Sequence, residues 1–156
     1  MVDQQQTARL IAEPDLMTLA ACGDLVAQRK LCTLSIEAYN EGRATFWEAM
    51  SWAMTFAQLA MAHGNLCDKG TVLNLLSLMG DAAQEMGDSA RIHAYEVQAL
   101  EVLRDGMAQA KAEGLPDYDA MFADFSRLVD MASDDAIAEV VACDAAQAPV
   151  EPITVH

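Results

Sequence analysis

The sequence predicts an all-α protein, on three observations. Prolines at 14, 116, 149 and 152 leave residues 15–115 without a single one. Apolar residues recur at spacings of three and four, and no stretch shows the alternation of a half-buried strand. Helix-capping residues and glycines punctuate the chain at helix-sized intervals. A chain of 156 residues favours one domain able to bury a sizeable core. That domain is expected over residues 1–146, as antiparallel helix hairpins or as an up-down helical bundle. Residues 147–156 hold two prolines and no periodicity, and are expected to form a flexible tail.

Taken in order, Asp3 opens a short helix to residue 12, ended by Pro14. Asp15 to Cys22 supplies two turns, stopped by Gly23. Asp24 caps a longer helix to about Asn40. Its inner face is Ala27, Leu31, Leu34 and Ala38, widened by Leu25, Cys32, Ile36 and Tyr39. Gln28, Arg29, Lys30, Thr33, Glu37 and Glu41 are left for solvent or a partner.

After Gly42, Thr45 and Glu48 form the reciprocal pattern that starts a helix, and Gly64 is the expected left-handed stop. The helix between them holds Phe46, Trp47, Met50, Trp52, Met54, Phe56, Leu59 and Met61. It has no clean polar side, so it is expected to be covered on most sides. So short a link between these two helices makes them antiparallel.

A loop is expected over residues 65–70, then a Thr71 cap. Val72, Leu75, Leu76, Met79, Ala82, Ala83 and Met86 follow as the cleanest stripe in the chain. Ser89 caps a helix to Glu113, lined by Ile92, Tyr95, Ala99, Val102, Leu103 and Met107, with Glu96, Glu101, Arg104 and Asp105 toward water. Pro116 starts a helix over residues 117–132 with Met121, Phe122, Phe125, Leu128, Val129 and Ala132 inward. Ser133 caps a last one bearing Ile137, Val140 and Val141.

Twenty-four acids against nine bases give a net charge of −15, and residues 115–156 hold nine acids and one base, Arg127. This field repels phosphate backbones, so direct nucleic-acid binding is not expected; it suits a basic partner surface as well as plain solubility. Cys22, Cys32, Cys67 and Cys143 form no CxxC pair, and the polar residues 1–6 have no basic start, which points to reduced thiols and a cytoplasmic location. The apolar run 46–62 contains Glu48, Ser51, Thr55 and Gln58, so no membrane span is expected.

Helix, glycine, capped helix, glycine repeats over 24–64 and 71–113. The first pair carries Gly23-Asp24, Ala27-Gln28, Leu31, then Tyr39 to Gly42, Ala49, Trp52, Ala60 and Gly64-Asn65. This resembles the Sel1-like repeat, a relative of the tetratricopeptide repeat, with wider spacing from Leu31 to Tyr39 and from Trp52 to Gly64. The second pair matches loosely, through Gly64-Asn65, Gly87-Asp88 and residues 94–100. The resemblance implies a short superhelical stack of helix pairs that binds proteins and carries no catalytic residue.

His63, Cys67, Asp68 and His93 do not have the spacing of a closed zinc set. Glu37, Glu41, Glu48 and Glu96 lack the Glu-x-x-His of a bundle metal pair. Cys32 and Cys143 read as small buried apolar residues rather than nucleophiles. No phosphate loop or Gly-x-Ser-x-Gly occurs. No catalytic, cofactor or metal residue is therefore assigned. Arg29, Arg43 and Trp47 are the candidate partner-binding residues, Trp47 as an aromatic anchor. The expected function is a non-catalytic protein-binding adaptor that engages another protein or its own copy. The alternative is an acidic nucleic-acid mimic that blocks a basic site.

Overall fold

The computed structural model describes residues 14–116 and 118–147. Over them every regular element is a helix: α1 (Pro14–Ala21), α2 (Leu25–Asn40), α3 (Phe46–His63), α4 (Leu66–Met86), α5 (Ser89–Glu113), α6 (Tyr118–Met131) and α7 (Asp134–Gln147). The all-α class is as expected. The helix expected over 3–12, residues 148–156 of the tail expected over 147–156, and the side chains of Met121, Phe122 and Phe125 lie outside the described residues; Gln147, expected in that tail, ends α7. The chain divides into two compact units, Met1–Ala82 and Ala83–His156.

In the first unit, α2 and α3 form the most extensive helix contact, and α1 packs on α2. Local chemistry sets the ends of this hairpin. Asp24 Oδ1 accepts from Ala27 N at 2.7 Å to start α2. Thr45 and Glu48 form the reciprocal capping box of α3. Between them Gly42 takes φ +70°. Its N–H donates to Tyr39 O at 2.9 Å, and Arg43 N donates to Ala38 O at 2.8 Å. Those two bonds satisfy the last free carbonyls of α2 and reverse the chain. The same pair of backbone bonds closes α1, α4 and α5.

Small residues line the seam. Ala27, Ser35 and Ala38 of α2, and Ala49, Ala53, Ala57 and Ala60 of α3, are almost fully buried. Side chains this short let two helix backbones approach closely, and interior packing at that separation has no room for larger ones. Ser35 Oγ returns its hydrogen bond to Leu31 O at 2.8 Å, so the seam carries no unpaired hydroxyl donor.

Several expectations for this unit are corrected. α3 is not covered all round: Ser51, Thr55 and Gln58 are exposed, Leu59 with them. The buried arc follows one neighbour, α2, and is narrower than the apolar composition of α3 implied. Trp52 is half-buried and stacks on Phe56 with centroids 5.8 Å apart. Tyr39 points outward and meets the edge of Phe46. Gln28, expected in solvent, is 2% exposed. Its Nε2 donates to Ala20 O at 3.0 Å, a second bond to a carbonyl that also accepts from Gly23 N. Gly64 is extended (φ −94°, ψ −158°), not left-handed. α4 starts at Leu66, so the loop over 65–70 is helical from 66 on, and Thr71 lies inside the helix. Val72, Leu75, Leu76 and Met79 are buried as expected; in the part of α4 that falls in the second unit, Ala83 is buried and Met86 exposed.

In the second unit, α5 packs against both α6 and α7. Asp88, not Ser89, caps α5, accepting from Arg91 N at 3.1 Å. Val97 and Leu100 of α5 join Ala136 and Val140 of α7 in the core, with Leu128, Val129, Ala132 and Ile137 against them. Because α5 touches two helices, its buried arc is wider than one stripe, and Val97 and Leu100 fall in the part the stripe left out. Val141 points outward instead. Ser133 caps α7 through Ala136 N, and its hydroxyl donates to Glu96 Oε2 at 2.8 Å. Glu96, expected in water, is therefore half-buried.

Two substitutions test this packing by urea unfolding. Ala53→Leu, at 0% exposure in the seam, is expected to cost about 1–3 kcal/mol by overpacking. Gly80→Ala, within α4 and with nothing within 4 Å of the added carbon, is expected to stabilise by about 0.5–1 kcal/mol.

Candidate functional site

The start of α4 is built by two reciprocal side chains. Asn65 Oδ1 accepts from Cys67 N at 3.0 Å, and Asp68 Oδ2 accepts from Asn65 N at 2.9 Å. Asp68 reaches further than a cap needs. Arg29, on α2, grips it with both arms: Nε to Oδ1 and Nη2 to Oδ2, each at 2.7 Å. The carboxylate is 5% exposed and the guanidinium side chain 45%, so the pair sits at a rim rather than in the interior. Paired planar groups of this kind give strong, directional bonds.

The charges respond accordingly. The Arg29 hydrogen bonds hold the Asp68 carboxyl below its ordinary range; desolvation opposes this, and the Asn65 N–H adds to it. The same bonds raise Arg29 above its ordinary value. Gly64 is required for a steric reason. A side-chain carbon there would overlap Asp68 Oδ2 and lie 2.6 Å from Ala60 O.

Behind the ion pair lies a cleft of about 300 Å³ between three helices. α2 contributes Arg29, Cys32, Thr33 and Ile36, α3 contributes Ala57 and Ala60, and α4 contributes Cys67, Asp68 and Thr71. Its floor is apolar and its rim polar. Around α2, Val26, Lys30, Leu34 and Glu37 border a shallower hollow that shares Arg29 and Thr33.

Of the three candidate partner-binding residues, Arg29 is on this rim. Arg43 pairs with Glu41 at 2.6 Å, beyond the far end of α2. Trp47 meets the edge of Phe46 at 5.1 Å, at the same hairpin turn. Arg29 and Arg43 are 14 positions apart, roughly 20 Å along a helix axis, so these three residues do not make one patch. The sequence reading missed the role of Asp68, 39 residues from Arg29. Its signal was the Asn-x-x-Asp spacing from residue 65, a reciprocal cap like that of Thr45 and Glu48.

The remaining candidates are dispersed. His63 is exposed in the last turn of α3, and His93 Nε2 meets Glu139 at 2.9 Å. Glu41 and Glu48 are engaged by near neighbours, Arg43 and Thr45, and Glu96 by Ser133, 37 residues on. Among the described residues no three His, Cys, Asp or Glu side chains gather as a metal set. Burial pushes the Cys32 thiol up to about 11. Among the described residues no helix is long and apolar enough to cross a membrane.

Fold and site together define an all-helical protein with an interhelix cleft whose rim is an ion pair. Comparison with protein-family models, curated proteins and solved structures finds no match for the chain.

Three measurements check this site. Asp68→Asn is expected to cost about 1–3 kcal/mol, the usual worth of hydrogen bonds to a charged group, and Gly64→Ala is expected to destabilise as well. The second concerns pH. With its folded value depressed, Asp68 contributes stability that is fully present above the unfolded carboxyl value of about 4 and is lost as pH falls through the folded value. Acid unfolding curves of Arg29→Met should therefore be less steep below about pH 4 than those of the wild type. The third uses a thiol reagent near neutral pH: exposed Cys22 and Cys67 should react first and Cys32 last.

Proposed function

We propose that this protein is a non-catalytic protein-binding adaptor, and that the cleft between α2, α3 and α4 is where a partner inserts a side chain. The observation that carries this reading is the cleft's construction. An apolar floor of Ile36, Ala57 and Ala60 sits behind a fixed, partly exposed ion pair. Apolar pockets with a few oriented polar groups at the edge are the form that recognition sites take. The small buried residues Ala27, Ala49 and Ala60, with Gln28 and Leu31, sit at the positions on which the resemblance to Sel1-like repeats rests. That agreement supports reading the α2/α3 hairpin as a repeat unit of a binding stack.

The net charge of −15 favours a partner with a basic surface. A second copy of the chain is the other occupant consistent with the reading, and a cytoplasmic setting suits its four free cysteines. One observation favours the acidic-mimic alternative: residues 115–156 carry nine acids and a single base.

A pull-down with wild type and Thr33→Arg, each at low and moderate salt, separates the readings. Thr33 is exposed on the rim, so an arginine there blocks the cleft mouth without disturbing the seam. A cleft binder should lose its partner at least tenfold with Thr33→Arg and keep it through moderate salt. A mimic should ignore Thr33→Arg and lose its partner steeply as salt rises. Insensitivity to both overturns the cleft as a binding site.

A further inference from the structure

Residues 65–71 contain two competing helix starts. Thr71 follows Gly70 and directly precedes the buried Val72, Leu75, Leu76 and Met79, so a helix opening at Thr71 keeps that whole stripe inward. The observed helix opens earlier, at Leu66 behind Asn65.

Apart from the Asn65–Asp68 cap, the added turn has little of its own to hold it. Cys67 is exposed, and Leu66, Lys69 and Gly70 are only half-buried. Gly70 lies within the helix with nothing within 4 Å of a would-be side-chain carbon, and glycine is a poor helix former. The Thr71 hydroxyl is spent on Cys67 O at 3.1 Å, a back-bond that slightly disfavours a helix. In the shorter helix the same hydroxyl would be free to cap. What sets the longer helix apart is the Asn65–Asp68 cap and, fixing its carboxylate from outside the turn, the two-armed bond from Arg29 to Asp68.

We propose that residues 66–70 are a conditional first turn of α4, winding and unwinding about Gly70 between the Asn65 and Thr71 starts, with the Arg29–Asp68 pair holding it wound. Cys67, Asp68 and Thr71 are the α4 wall of the cleft, so unwinding takes that wall away. A molecule that fills the cleft and touches this wall binds the wound state alone and shifts the population toward it. The inference stands on the helix start and does not require that the occupant be a protein.

Amide hydrogen exchange on the full chain tests it, because amides 70–73 donate to carbonyls four residues earlier in the wound helix and lose those acceptors in the unwound one. In the wild type these amides should exchange at least tenfold faster than amides 75–79. Arg29→Met should speed their exchange at least tenfold further. Gly70→Ala should slow it about fivefold, the difference in helix propensity between the two residues. Both variants should leave 75–79 within twofold.

Thr71→Val separates this device from simple fraying. It removes the cap of the unwound state, so exchange of 70–73 should slow severalfold; if it speeds up, the Thr71 start is not populated and the proposal falls. It falls equally if 70–73 exchange in step with 75–79 in the wild type, or if Gly70→Ala leaves 70–73 unchanged.

Discussion

The seam between α2 and α3 is the constraint on which the first unit rests. Alanines and a serine along both helices let the backbones come close, and close backbones bury the larger Leu31, Met50 and Phe56 beside them. The turn that makes this possible is set by backbone geometry. A left-handed glycine at position 42 closes α2, and three residues later a side-chain cap opens α3. Little slack is left in the link, so the two helices have one way to lie. The exposed side of α3 follows from the same constraint, because one close neighbour covers one arc.

The attachment of α4 to this hairpin works by different physics. Apolar contact is sparse at its first turn, and polar groups do the holding. Asp68 serves two masters: it closes the cap on Asn65 and receives both arms of Arg29. Gly64 is bare because the carboxylate occupies the space a side chain would need. The ion pair stands at the rim of the cleft, whose lining comes from α2, α3 and α4. Structure and candidate function thus share one contact. Whatever weakens the tie reshapes the site.

The second unit is organised around α5, which serves α6 and α7 at once. Its polar links echo the arrangement at α4: Glu96 holds the Ser133 cap, and His93 meets Glu139. Side chains that look solvent-bound in a linear reading are drawn in to bond at helix ends. Glu96 is one instance and Gln28, bonding to the end of α1 from α2, is another.

The helical class and most helix ends were legible in the sequence because the bonds that make them are local. The Asp24 cap, the Thr45–Glu48 box, the Gly42 reversal and the Ser133 cap all join residues within about six positions, so residue type and spacing suffice. What spacing could not carry was anything that depended on a distant neighbour. Gln28 is buried where its amide adds a second bond to Ala20 O at the end of α1, and Val97 and Leu100 are buried because α5 has two partners rather than one. α4 begins at Leu66 with a local cap from Asn65 and Asp68, and Asp68 is also held by Arg29 across 39 residues. Gly70 and Thr71 pointed to the later start, while the observed one carries the Asn65–Asp68 cap together with two long-range, charge-assisted hydrogen bonds. Helix identity was therefore decided by short-range chemistry in the chain itself, while the cleft and its charged rim came into being only when the fold brought α2, α3 and α4 together.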